Sequence, residues 1–203
     1  MSQRTASSSP TVTALRELRG SRVEVELDGD AWRVLPANAV VRAGLRVGRE
    51  LDRPLARELA RELRRDEALT TAGRALRTRA LSRRELEDRL ERRGVGSGAR
   101  AEALETLARA GFVDDGRFAR GRAESLAARG YGDAAIRNDL ERRGVAAEGI
   151  EDALASLQPE RDRAARVVRG APARAAAARR LATRGFGEEA IEAVLGDLVA
   201  GEG

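Results

Sequence analysis

Histidine, cysteine and lysine are all absent from this chain. Without cysteine there is no disulfide and no thiolate nucleophile, without histidine no imidazole base, and the usual zinc ligand sets go with them. The missing lysine also rules out a glycine-rich phosphate loop of the usual kind, and Gly94-Val95-Gly96-Ser97-Gly98 reads as a loose interhelical turn. Aromatics make up only 2% of the chain, so its core must be built from Leu, Val and Ala. No apolar run approaches the roughly 18 residues needed to cross a bilayer, and residues 1–10 lack the apolar stretch of a signal peptide. The expectation is a cytoplasmic, non-catalytic protein: no membrane, no metal, no cofactor and no enzymatic activity.

What is abundant is arginine. All 38 basic residues are Arg, set against 33 acids for a net charge of +5, and 42% of the 203 residues are apolar. Ala, Leu, Arg and Glu dominate, and they are the strongest helix formers, so the expected class is mainly α. The chain also repeats itself. Glu91-Arg92-Arg93-Gly94-Val95 returns as Glu141-Arg142-Arg143-Gly144-Val145 and, in altered form, as Thr183-Arg184-Gly185-Phe186. Aligned on these glycines, Leu90, Leu140 and Leu181 fall four residues before, and Leu104, Leu154 and Leu195 ten residues after. Leu107, Leu157 and Leu198 fall thirteen after, whereas at six after Ile150 and Ile191 agree but Arg100 does not. Such a period is the mark of a repeat array.

In chain order, the expectation is a disordered start over 1–10 and a small α+β cap over 11–50. Arg22–Leu27 and Ala31–Leu35 alternate at period two around the turn Asp28-Gly29-Asp30, which predicts a β-hairpin preceded by a short strand at 12–15. A short helix over 37–43 ends at Gly44, and Trp32 anchors the cap core. A linker helix follows over 51–65, then three-helix repeats over 66–111, 112–157 and 158–199, nine helices in three triplets. Ser82 with Glu85 reads as a capping box, Asp114 or Asp115 as the cap of the helix carrying Phe118, and Asp133 as the cap of the helix carrying Ile136 and Leu140. The third repeat is expected to place Ala164, Ala165 and Val168 inward and to break at Gly170-Ala171-Pro172, and residues 200–203 to fray.

The glycine of the echo reads most simply as a helix stop, and arginine in a last turn is favoured by the helix dipole at roughly 0.3 to 1 kcal/mol. Charge along the chain suggests more. Residues 71–100 carry +5 and 101–115 carry −3, 116–145 carry +3 and 146–157 carry −3, and 158–186 carry +6 and 187–203 carry −5. The sign alternates in phase with the repeat, which predicts a basic stripe able to meet a phosphate backbone or nucleoprotein polymer. Its expected members are Arg92, Arg93, Arg142, Arg143, Arg179, Arg180 and Arg184, with reversal of Arg142 and Arg143 expected to leave the fold intact. A general nucleic-acid-binding repeat protein is the alternative reading.

Several stretches together resemble the regulatory protein RecX family: Ser82-Arg83-Arg84-Glu85-Leu86 with Leu90 and Gly94, Gly111-Phe112-Val113-Asp114-Asp115-Gly116-Arg117-Phe118-Ala119, Gly130, Leu140 to Val145, and Arg184-Gly185-Phe186. The likeness covers about residues 66–199 and is most specific in Asp-Asp-Xaa-Arg-Phe-Ala. It implies three tandem three-helix repeats in an elongated curved array behind the cap, and a non-enzymatic inhibitor of the RecA recombinase. Such a protein would lie in the groove of the RecA filament on single-stranded DNA and suppress strand exchange, ATP hydrolysis and co-protease activity. A monomer is expected. The chain departs from the family pattern at Arg100 and in the alanine-rich run 173–178.

Overall fold

Three strands and ten helices make up the chain in a computed structural model that describes residues 9–169 and 173–200. The mainly α class and the α+β cap expected from the sequence are both present. The expected break at 170–172, residues 201–203 of the end expected to fray, and the first eight residues lie outside the described residues. Pro10, expected in the disordered start, has its carbonyl accepting from the Leu51 amide at 2.7 Å. Packing divides the chain into two units, one of residues 1–77 with 89–107 and the other of 78–88 with 108–203.

In the first unit, β1 (Val12–Leu18), β2 (Arg22–Leu27) and β3 (Asp30–Pro36) form an antiparallel sheet in that order. Asp28 and Gly29 both take positive φ, 52° and 93°, as a two-residue hairpin turn requires, and Leu27 pairs with Asp30 across it. The alternation in β2 turns Val23 and Val25 into the core, where they meet Val12, Leu35 and Val40. Trp32 is only partly buried against this cluster, with the Arg33 guanidinium 5.2 Å from its ring centre. Helix α1 (Ala37–Ala43) stops at Gly44, whose φ of 69° places it in the left-handed region.

Helix α2 runs unbroken over Arg53–Leu76, so the expected linker helix and the first helix of the array are one element. Asp52 caps it by accepting from the Leu55 amide at 2.8 Å. Its buried face runs Leu55, Leu59, Glu62, Arg65, Ala68, Ala72, Ala75, and the two charged members keep the stripe continuous by bonding sideways. Arg65 reaches Thr106 at 3.1 Å and Glu62 takes Arg61 at 2.9 Å, while Arg61 also bonds Glu58 at 2.7 Å and Glu102 at 2.9 Å. Those bonds hold Arg61 more firmly protonated than usual and Glu58 more firmly ionised.

Helix α3 (Arg83–Arg92) buries Leu86 and Leu90, and α4 (Ser97–Arg109) buries Ala103, Leu104 and Leu107. Arg100, at the position where the other repeats are apolar, keeps its side chain mostly buried. It donates to the Val95 carbonyl at 2.9 Å and pairs with Glu91 at 3.2 Å, though its Nε is buried with no partner.

In the second unit, α5 (Asp115–Ala128) packs on α6 (Asp133–Arg142) and α7 (Ala147–Ala155) around Phe118, Ala123, Ile136, Leu140 and Ile150. Helix α8 (Glu160–Val168) packs on α9 (Arg174–Thr183) and α10 (Glu188–Ala200) around Ala164, Val168, Leu181, Phe186 and Val194. Here Ala165 is exposed, and the buried neighbour on that helix is Arg163, only 3% exposed. It pairs with Asp133 and donates to the carbonyls of Gln158 at 2.9 Å and Tyr131 at 3.1 Å, so its charge is compensated within the fold.

Candidate functional site

The three copies of the echo end their helices in the same way. Gly94, Gly144 and Gly185 have φ of 76°, 76° and 75°. In each, the glycine amide bonds the carbonyl three residues back, and the next amide bonds the carbonyl five back: Val95 to Leu90 and Val145 to Leu140 at 3.1 Å, Phe186 to Leu181 at 3.2 Å. This is a Schellman cap, which only glycine adopts without strain, and it folds the following apolar residue back onto the helix. Local sequence dictates that much, and it is common to all three copies.

What lies beyond the cap differs. The end of α6 abuts the start of α3: Ser82 Oγ donates to the Arg143 carbonyl at 2.6 Å, and a side chain on Gly144 would collide with Arg84. The end of α9 abuts the start of α6 in the same sense. There the Gly132 amide donates to the Arg184 carbonyl at 2.9 Å and the Ala134 amide to the Gly185 carbonyl at 3.1 Å. A Cβ on Gly185 would lie 2.7 Å from that of Ala135, and one on Gly132 would run into the Gly185 and Phe186 backbone. Each joint sets the electron-rich end of one helix against the amide-bearing end of another.

The first helix of the following repeat completes each joint. Asp115 accepts from the Arg83 amide at 2.7 Å, and Glu160 accepts from the Asp133 amide at 2.6 Å. The Asp114-Asp115 pair is therefore two caps. Asp114 caps its own helix through the Arg117 amide at 2.9 Å, a bond that keeps its carboxyl below the usual range, while Asp115 caps α3. Ser82 and Glu85 form the expected capping box, with bonds of 3.1 and 3.2 Å. Asp133 does not cap α6 as expected, because Gly132 holds the cap position and Glu160 supplies the carboxylate.

The seven arginines expected on the basic stripe fall into two groups. Arg143 is three-quarters buried, bonding Asp139 at 2.8 Å and Glu85 at 2.6 Å. Arg122 donates to both oxygens of the same Asp139, from Nε at 2.8 Å and from Nη2 at 3.0 Å. These bonds, Arg122 first and Arg143 second, hold Asp139 well below the ordinary carboxylate range against the opposing effect of partial burial. Arg184 donates to the carbonyls of Arg129 at 2.9 Å and Gly130 at 3.2 Å, with Tyr131 beneath it at 6.0 Å. These two side chains hold joints, so Arg143, unlike Arg142, is placed where reversal of its charge would face the packing between repeats.

The other five face outward. Arg142 has 73% of its side chain exposed, bonding its own helix at the Asn138 carbonyl and lying 3.9 Å from Asp139. Arg179 and Arg180 are exposed on α9. Arg92 and Arg93 are exposed at the end of α3, where with Arg89 they line a recess of about 210 Å³. Between α5 and α6 runs a groove of about 450 Å³ whose lining includes Arg122, Arg129, Tyr131, Asn138 and Arg142. Arg129 sits 5.5 Å from the Tyr131 ring centre. Arg89, Arg122, Arg129 and Arg163 are not among the expected stripe members, which are arginines beside the three aligned glycines.

Residues 114–154 match the family model for the second three-helix domain of RecX. The regulatory protein RecX of Acidithiobacillus ferrooxidans is 38% identical over 136 residues, spanning 65% of this chain and 91% of its own length. That of Halorhodospira halophila is 40% identical over 105 residues, 52% of this chain and 63% of its own length. A crystal structure of a regulatory protein RecX superimposes with a TM-score of 0.80 over 91% of this chain and 98% of its own, at 19% identity. RecX from Lactobacillus salivarius superimposes with a TM-score of 0.62 over 68% of this chain and 97% of its own, at 17% identity. The two structures agree in fold, and on the sequence relatives the chain belongs to the RecX family of regulatory proteins.

Proposed function

We propose that this chain is a non-enzymatic regulator of the RecA recombinase that docks in the groove of the RecA filament on single-stranded DNA. In this reading it suppresses strand exchange, ATP hydrolysis and co-protease activity, and acts as a cytoplasmic monomer. The observation that carries the reading is the division of the arginines. Arg143 and Arg184 lock repeat to repeat, while Arg142, Arg179 and Arg180 stay outward beside those joints and Arg92 and Arg93 stay outward at the corresponding end of α3. A periodic surface of guanidinium forks suits a periodic, phosphate-bearing polymer. The repeats are assigned to 66–111, 112–157 and 158–199, the first sharing α2 with the segment that leads out of the cap.

The experiment is a titration of DNA-dependent ATP hydrolysis by RecA. Inhibition at well below one chain per recombinase subunit supports the reading, and unaltered hydrolysis with the chain in excess refutes it. The groove beside Tyr131, with Arg129 and Asn138 in its lining, favours a second reading as a general single-strand binder. That reading requires tight, salt-sensitive binding to bare strands in the absence of RecA.

A further inference from the structure

The joint is used twice inside the chain, yet its motif occurs three times. At the end of α6 the space above Gly144 is filled by Arg84, and at the end of α9 the space above Gly185 is filled by Ala135. At the end of α3 a Cβ built on Gly94 meets nothing within 4 Å, although the cap geometry is the same. The second and first copies also differ in one charge. Arg143 is neutralised from its own helix by Asp139, four residues earlier, and from the abutting helix by Glu85. Arg93 is the counterpart of Arg143, and the residue four before it is Arg89. Among the described residues neither Arg89 nor Arg93 has an ion-pair partner.

Resting on the regulator reading above, we infer that the end of α3 is an intermolecular copy of the joint. Its occupant is the first turn of a helix of the filament's protein, bearing a hydroxyl or bare amide at the cap and a carboxylate within the turn. Ser82 and Glu85 show the chemistry at the filled joint: a donor to the carbonyl before the glycine, and an acid to the arginine. A nucleic-acid phosphate fits less well, because it offers no donor to the helix-end carbonyls and is repelled by the negative end of the α3 dipole. A second copy of this chain is also disfavoured. Its corresponding start, that of α9, has no acid in the first turn and begins with Arg174.

The test uses Arg89→Asp, which gives the first copy the internal acid of the second, with Arg89→Lys and Arg93→Ala alongside. Each full-length variant is measured for melting temperature, for affinity to RecA filaments on single-stranded DNA, and for affinity to a bare oligo-dT strand. Arg89→Asp is expected to melt no lower than the parent, since it adds an i,i+4 ion pair. Its filament affinity is expected to fall about tenfold, as does that of Arg93→Ala, for the loss of one charge-assisted pair. Bare-strand affinity changes much less, and Arg89→Lys stays near the parent. Unchanged filament affinity in both Arg89→Asp and Arg93→Ala overturns the inference and leaves the regulator reading standing. An equal fractional loss for filament and bare strand overturns it in favour of a phosphate ligand. Failure of the parent chain to bind filaments at all sinks the regulator reading, and this inference with it.

Discussion

Replacing each glycine of the repeated motif by alanine sorts the three copies by what lies beyond them. All three have φ near +75°, so each alanine costs about 1 kcal/mol for entering the left-handed region. At Gly94 nothing stands within 4 Å of the new methyl group, and the cost stops there. At Gly185 the methyl group lies 2.7 Å from both the Cβ and the amide nitrogen of Ala135, well inside van der Waals contact. Relieving that overlap separates α9 from the start of α6, adding about 1 to 3 kcal/mol for overpacking and weakening the bonds from Gly132 and Ala134. The expected totals are about 1 kcal/mol for Gly94→Ala and about 2 to 4 for Gly185→Ala. Gly144→Ala belongs with Gly185→Ala, because its methyl group would lie 2.7 Å from the Cβ of Arg84, an atom that no change of rotamer moves away. Urea unfolding followed by far-ultraviolet circular dichroism measures all three. Equal losses at Gly94 and Gly185, within about 0.5 kcal/mol, would show that the second and third copies are mere helix stops.

Two further predictions concern the charges behind the joints. Arg143→Glu faces Asp139 and Glu85 with a third carboxylate and strands the acids it held, so it destabilises by about 2 to 3 kcal/mol. Arg142→Glu, on a side chain mostly in water, stays within about 0.5 kcal/mol, and comparable losses in the two variants would contradict the division of the arginines. Asp139 has a folded-state pKa below its unfolded value, so it stabilises fully above the unfolded carboxylate range of about 4 and loses that contribution as pH falls further. Asp139→Asn is accordingly less stable than the parent at pH 7, with a gap that narrows below pH 4 in acid titrations of unfolding free energy. A gap independent of pH would mean that the carboxylate charge is not what matters there.

The class of fold was legible because its signals are local. A glycine at a fixed distance from a buried leucine sets a Schellman cap within six residues, and the period-two pattern of Arg22–Leu27 needs only the turn at Asp28 to become a hairpin. The joints were not legible, because their bonds connect residues far apart in sequence: Ser82 with Arg143, Asp133 with Glu160, Gly132 with Arg184. A carboxylate in a first turn looks the same whether it caps its own helix, as Asp114 does, or a neighbour's, as Asp115 does. The expected boundary between a linker helix over 51–65 and a first repeat from 66 falls inside α2, whose buried face carries Glu62 and Arg65. Their mutual pairing and the Arg65 bond to Thr106 let both be buried, and no helix breaker stands between them and Leu69. For the arginines, residue type and spacing gave the stripe but not the difference between Arg142 and Arg143, adjacent in sequence and opposite in exposure.

The central claim is that the outward arginines, and not those in the joints, meet the filament. It is tested most directly by titrating RecA and single-stranded DNA with the parent chain and with Arg142→Glu/Arg179→Glu/Arg180→Glu, and following ATP hydrolysis. The parent is expected to inhibit at substoichiometric ratios, and the triple variant, with unaltered helicity and melting temperature, to require at least about tenfold more protein for the same effect. Equal inhibition by a folded triple variant would contradict it.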